Sequence, residues 1–252
     1  MSSSGAGRRG KVLSGLAVAV GCVLFLGGFT WGAVAYAPYT VPTFSMEPTV
    51  AAGDRVLAER ISGDEVRRGD IVVFEDAVWG DQPMVKRVVA VGGDTVGCCD
   101  GQGRLTVDGT PVAEPYVTDS ERAAQQDFPA TTVPEGMIFL LGDHRLASVD
   151  SRSHLAEPGG GAIPRDAVTG RVDATAWPLG SAGMVDRPDG FAALPGGISG
   201  PGPLRMLLFA VVTGAALILG GAAYGPVSGY ARARRARATH NGVTHRRKGN
   251  VP

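Results

Sequence analysis

Two long uncharged apolar runs, residues 12–37 and 206–224, constrain this chain more than any other feature. A helix needs roughly 20 apolar residues to cross the hydrocarbon core of a bilayer, and both runs are long enough. The charges are sorted around them. Arg8, Arg9 and Lys11 precede the first run without an acid, and basic residues from Arg232 to Lys248 follow the second, again without an acid. All 24 acidic residues lie between Thr40 and Phe191. Excess Lys and Arg marks the cytoplasmic flank of membrane helices, so both termini are expected in the cytoplasm and the acidic middle outside.

This division gives a domain plan. Residues 1–11 form a basic cytoplasmic N-terminus, 12–37 a first membrane helix, and 38–185 an extracytoplasmic domain. Residues 186–204, rich in Gly and Pro, read as a tether, 205–224 as a second membrane helix, and 225–252 as a basic cytoplasmic tail attracted to anionic lipid. Ala35-Tyr36-Ala37 fits the small-x-small pattern of a secretory cleavage site. Secretory apolar cores run about 7 to 15 residues, however, and this one is longer, so an uncleaved anchor is expected. Pro38 after the pattern points the same way.

Between the anchors the chain reads as mainly β. Residues 71–74, 84–91 and 137–141 are compact apolar or alternating runs near Gly and Asp, the setting of strands. Arg104 to Val107, then Asp108-Gly109, then Thr110 to Val112 read as a hairpin with a two-residue turn. Residues 98–134 are polar and turn-rich, suggesting a small β subdomain inserted into the main antiparallel sheet. Cys98 and Cys99 are adjacent there, on the oxidising side of the membrane, where a vicinal disulfide is possible. Too few further ligands are spaced around them for a metal. His154 and the tail residues His240 and His245 have no motif around them and are expected to be solvated.

The chemistry starts at Ser45, in Val41-Pro42-Thr43-Phe44-Ser45-Met46-Glu47-Pro48-Thr49, just beyond the first apolar run. A serine hydroxyl is a poor nucleophile until a base takes its proton. Lys86, in Met84-Val85-Lys86-Arg87-Val88-Val89, is the candidate base. Lysine ordinarily holds its proton to a pKa near ~10.4. Strand alternation puts Met84, Lys86 and Val88 on one face, where apolar neighbours disfavour the ammonium form. Arg87 faces the other way and can remain charged and paired.

Three further blocks follow in order: Gly53 to Leu57, Arg68 to Phe74, and Gly142-Asp143-His144-Arg145-Leu146-Ala147-Ser148-Val149-Asp150-Ser151-Arg152. With the Ser45 and Lys86 blocks they resemble bacterial type I signal peptidases, the membrane-bound Ser-Lys proteases that remove signal peptides from exported proteins. The resemblance runs from Pro38 to about Trp177. It implies Ser45 as nucleophile, Lys86 as general base, and Ser148 as the hydroxyl orienting the amine. It also implies an oxyanion site from the Ser45 N–H and the Thr43 hydroxyl. Asp143 with Arg87 and Asp150 with Arg152 match supporting ion pairs, and Tyr39, Val41, Val73, Met84 and Val85 match shallow pockets for small side chains. Three departures stand out. His144 replaces a more usual Asn, Phe44 stands where a small residue is common, and Leu146-Ala147 is less polar than the same loop in many relatives.

Rival chemistries fit less well. A Ser-x-x-Lys enzyme of the penicillin-binding type needs lysine where this chain has Pro48. Self-cleaving repressors share Ser-Lys chemistry but are soluble. A histidine base in the endoplasmic-reticulum form would stand where this chain has Lys86. The resemblance implies secretory preproteins with Ala-x-Ala sites as substrates, a bacterial cytoplasmic membrane as location, and the protein-translocation machinery as a candidate partner. It implies no cofactor, metal or nucleic acid.

Overall fold

The computed structural model describes residues 4–224, with side chains from Gly10 onward except Asp81; the basic tail, with His240 and His245, lies outside the described residues. The chain divides into a helical unit and a β unit, Ala35–Gly202.

In the helical unit, helix α1 spans Ser4–Ala35 and a second long helix spans Leu204–Tyr224. The stretches Gly10–Ala35 and Leu204–Tyr224 are each long and apolar enough to cross a membrane. Small residues recur every seven positions on both, at Ser14, Gly21 and Gly28 and at Gly214 and Gly221. They set the contact between the helices. A Cβ added at Gly214 would lie 2.6 Å from the Phe25 nitrogen, and one at Gly21 2.8 Å from the Gly214 carbonyl. The Ser14 hydroxyl donates to the Gly221 carbonyl at 2.7 Å. Small residues let backbones approach where lipid supplies no hydrophobic drive between helices.

The β unit contains β1 (Tyr36–Thr40), β2 (Arg55–Glu59), β3 (Ile71–Asp76), β4 (Gly80–Val91), β5 (Thr95–Cys98), β6 (Thr106–Val107) and β7 (Thr110–Pro111). A short helix α2 (Asp119–Ala124) follows, then β8 (Phe128–Thr132), β9 (Met137–Leu141), β10 (Ile163–Pro164), β11 (Val168–Trp177) and β12 (Gly183–Met184). The long helix Leu204–Tyr224 is α3. The main sheet runs β1-β2-β11-β3-β4-β9-β10 with β12 beside β11, and all its pairings are antiparallel. A second sheet runs β7-β6-β5-β8. The mainly β, antiparallel expectation therefore holds, and the runs read as strands at 71–74, 84–91 and 137–141 are β3, β4 and β9.

Alternation in β3 explains the layering. Ile71 and Val73 enter one cluster with Val41, Met46, Val56 and Val85, whereas Val72 and Phe74 enter another with Val88, Ile138 and Leu140. The β6-β7 hairpin turns at Asp108 (φ 52°) and Gly109 (φ 73°), left-handed at both positions as a tight two-residue turn requires. The second sheet is less separate than an inserted subdomain suggests. Its Val96, Leu105, Val107 and Phe128 share one core with Phe139 and Leu141 of β9.

Three expectations are corrected. The first membrane helix was bounded at 37, but Tyr36 and Ala37 belong to β1, paired with Glu59 and Ala58 of β2. The Ala37–Pro38 bond thus lies within a paired strand. The segment 186–204 is no loose tether over most of its length. Phe191 and Leu194 are buried in the shared core, Arg187 donates to Asp173 at 2.6 Å, and Ser199 donates to Asp70 at 2.7 Å. Gly and Pro richness does not distinguish a linker from an extended strap pinned at single residues. His154 is not solvated either. It stacks on Trp79 with ring centroids 4.6 Å apart and meets Glu157 at 2.9 Å.

Candidate active site

Ser45 sits in a 3-10 turn, Phe44–Met46, that follows β1. The turn is held from below by Met46, which is fully buried among Val41, Val50 and Val56. Phe44, by contrast, is 62% exposed, so its bulk projects outward and does not crowd the nucleophile. Lys86 lies mid-strand in β4, opposite Val72 of β3. Strand β9 ends at Leu141, opposite Arg87. Residues 142–152 therefore leave the sheet beside Lys86, which brings the fifth sequence block to the other two.

The result is a close Ser-Lys pair. Lys86 Nζ lies 2.9 Å from Ser45 Oγ and 3.1 Å from the Val85 carbonyl, and both residues are only 5% exposed. Burial pulls the amine below the ordinary lysine range, while the more distant charges of Asp150 and Asp143 oppose it. Thr43 Oγ1 lies 3.1 Å from Ser45 Oγ. The N–H of Ser45 belongs to the first turn of a helical segment, where N–H groups have no partner within the helix. Both oxyanion candidates therefore stand next to the nucleophile.

The ion pairs form behind them. Arg87 clamps Asp143 with two parallel bonds of 2.7 and 2.6 Å and also donates to the Gly69 carbonyl at 2.8 Å. Its guanidinium stacks 3.9 Å over the Tyr116 ring. Burial alone would lower the Arg87 pKa, but Asp143, with Tyr116 and Glu114, opposes it and the net shift is upward. Arg152 makes a similar fork with Asp150 at 2.8 and 2.7 Å, and Asp150 accepts the Gly142 N–H at 3.0 Å. That last bond ties the loop to the end of β9.

Ser148 departs from expectation. Its hydroxyl is buried without a hydrogen-bond partner and is not bonded to Lys86. It packs against Gly142, where any Cβ would collide with the Ser148 side chain and the Ser45 carbonyl. Only glycine lets the two loops meet so closely.

A cavity of about 230 Å³ opens beside Ser45 and Lys86. Val41, Met84 and Val85 line it as expected, joined by Pro42, Pro83, Ala147 and Val149. Tyr39 and Val73 do not. Val73 has no exposed surface, and Tyr39 packs against the cluster beneath. Val73 lies beneath its cross-strand partner Val85, on the same face of the sheet but covered.

Sequence reasoning left several contributors unassigned. Thr49 donates to Asp143 at 2.6 Å, and Arg145 makes a buried ion pair with Glu114. His144 contacts the nucleophile turn itself. Thr49 was visible in the Ser45 block, whereas Glu114 and Tyr116 come from a polar stretch with no local signal. Cys98 and Cys99 are joined to each other as a disulfide.

The chain is similar to known proteins. A family model described as "Signal peptidase, peptidase S26" matches residues 12–177. The signal peptidase I of Mycobacterium tuberculosis is 30% identical over 198 residues, covering 59% of this chain and 67% of its own. That of Leptolyngbya laminosa is 32% identical over 183 residues, covering 69% of this chain and 83% of its own. A crystal structure of a signal peptidase I from Enterococcus faecalis aligns over 42% of this chain and 95% of that one, at 30% identity and a TM-score of 0.35. Since the matched residues span both Ser45 and Lys86 and most of the chain, the chain belongs to the signal peptidases of family S26, hydrolases of the serine peptidase class.

Proposed function

We propose that this protein is an endopeptidase, anchored in the membrane by α1 and α3, that removes signal peptides from secretory preproteins through a Ser45-Lys86 dyad. The observation that carries the reading is the 2.9 Å approach of a buried Lys86 amine to a buried Ser45 hydroxyl. A neutral amine donates one hydrogen to the Val85 carbonyl and keeps its lone pair for the Ser45 proton. Ser45 Oγ then attacks the scissile carbonyl, and the oxyanion forms against the Ser45 N–H and the Thr43 hydroxyl. Lys86 passes its proton to the departing amine, and water repeats the sequence on the acyl-enzyme. Ser148, buried and unpartnered beside this turn, is the candidate third contact for the amine once substrate has bound.

The cavity lined by Val41, Met84, Val85 and Ala147 suits small apolar side chains, which supports Ala-x-Ala substrates. The charge division supports both termini inside and the β unit outside a bacterial cytoplasmic membrane. Labelling of single introduced cysteines should find Ser2 and Asn250 reactive only from the cytoplasm and Asp119 only from outside. Reactivity of position 250 from outside would rule out a membrane-crossing α3.

A pH profile tests the dyad. The neutral amine is the working form and its pKa is lowered, so kcat/KM for an Ala-x-Ala preprotein should rise with pH through an inflection below the ordinary lysine value of ~10.4. Lys86→Arg should be inactive at every pH, because a guanidinium does not release its proton. A Lys86→Arg enzyme that cleaves with the same profile would assign the base to another residue.

A further inference from the structure

His144 occupies a position between the nucleophile and the second sheet that the dyad reading does not use. Its ring Nδ1 lies 3.2 Å from the carbonyl oxygen of Phe44. A carbonyl only accepts, so Nδ1 carries the hydrogen. Its main-chain N–H donates to the Ser45 carbonyl at 3.1 Å. The same residue therefore holds both carbonyls that flank the nucleophile. The opposite ring nitrogen, Nε2, faces Glu121 Oε1 at 3.8 Å. Glu121 is buried on α2, within the segment that carries the second sheet, and its other oxygen accepts the Thr118 hydroxyl at 3.0 Å.

The Phe44 carbonyl belongs to the peptide whose N–H is that of Ser45, the proposed oxyanion donor. A peptide unit is planar with its C=O and N–H pointing in opposite directions. The Phe44 oxygen already accepts the Glu47 N–H at 3.1 Å, and a second donor from His144 restricts the direction of the Ser45 N–H further. It also polarises the amide, because bonds in a chain strengthen one another. Phe44 and His144 are two of the three departures from the family pattern, and here they touch. We infer that His144 is a positioning residue that aims the Ser45 N–H at the oxyanion through the Phe44 carbonyl. This deepens the dyad reading and rests on it.

The experiment compares the full-length wild type with His144→Ala and His144→Asn in detergent, using an Ala-x-Ala peptide and an aldehyde of its acyl half. The aldehyde adds Ser45 Oγ to its carbonyl carbon and places an oxyanion-like oxygen in the site, so it reports the transition state. Removing an oxyanion donor outright costs about 10²- to 10³-fold, so a lost aim should cost less, about tenfold in kcat. KM should stay within about twofold, and aldehyde affinity should fall by the same factor as kcat/KM. Asn carries an amide nitrogen at the same distance along the side chain as Nδ1 and should restore activity to within about threefold. The main-chain bond to Ser45 survives in both variants.

A wild type that fails to cleave would remove the dyad reading and this inference with it. If the wild type cleaves and His144→Ala matches it, only the inference falls. Equal losses in His144→Ala and His144→Asn, or a loss in KM with aldehyde affinity unchanged, would mean that His144 merely supports the loop and would overturn the positioning role.

Discussion

Ser45→Ala should lower preprotein cleavage by about 10⁴-fold or more, while the protein stays folded and membrane-inserted. Oγ is the only atom removed, and no buried apolar contact goes with it. Lys86→Ala should cost a similar factor, since a hydroxyl without a base is nearly inert. The informative comparison is the double variant. Nucleophile and base act as one unit, so Ser45→Ala/Lys86→Ala should be no slower than either single variant, leaving only what substrate binding and the oxyanion donors provide. Single-turnover rates with saturating enzyme measure this without interference from product release. Multiplicative losses would mean that the two residues contribute independently and that the 2.9 Å contact has no role in proton transfer.

Parts of the fold could be read from the sequence because their physics is local. The strands β3, β4 and β9 announce themselves by apolar runs, and the Asp108-Gly109 turn by residues that tolerate left-handed backbone. Strand β11 does not, although it lies at the centre of the main sheet between β2 and β3. Its sequence contains Gly170, Arg171 and Asp173, which interrupt any apolar pattern. Those charges are buried because partners arrive from elsewhere: Glu59 bonds Arg171, and Tyr36 and Arg187 bond Asp173. Arg171 finds Glu59 112 residues away and Asp173 finds Tyr36 137 residues away, so in sequence both look like surface charges.

The same reasoning separates the site residues that were legible from those that were not. Ser45, Lys86, Arg87, Asp143, Asp150 and Arg152 sit in ordered blocks, and the structure brings those blocks together. The pocket residues Tyr39 and Val73 rest on family position alone; Val73 is fully buried, and neither lines the cavity beside Ser45. His144 was visible as a substitution whose consequence depends on where its ring points, which no spacing rule reveals.

Asp143→Ala should be the most destabilising substitution behind the site. Arg87 and Asp143 are 1% and 0% exposed at their side chains, so neither charge is screened by solvent. Removing the carboxylate leaves the guanidinium with the Gly69 carbonyl, the Tyr116 ring and a long 3.5 Å contact to Thr49, and deprives the Thr49 hydroxyl of its acceptor. Breaking a buried pair from one side costs about 3 to 5 kcal/mol, a large fraction of the roughly 5 to 15 kcal/mol that holds a domain together. At about 2 to 4 °C per kcal/mol for a domain of this size, the melting temperature should fall by on the order of 10 °C. The pair itself is a different matter from its halves. Two opposite charges taken out of water recover little more than their desolvation cost, so replacing both with apolar groups of similar volume should be far milder. Arg87→Met/Asp143→Leu should therefore melt well above Asp143→Ala, whatever its activity. Circular dichroism melts of the three proteins in one detergent decide the matter. A single variant as stable as the wild type would show that water or a rearranged neighbour reaches the guanidinium, and that the pair is not sealed in the core.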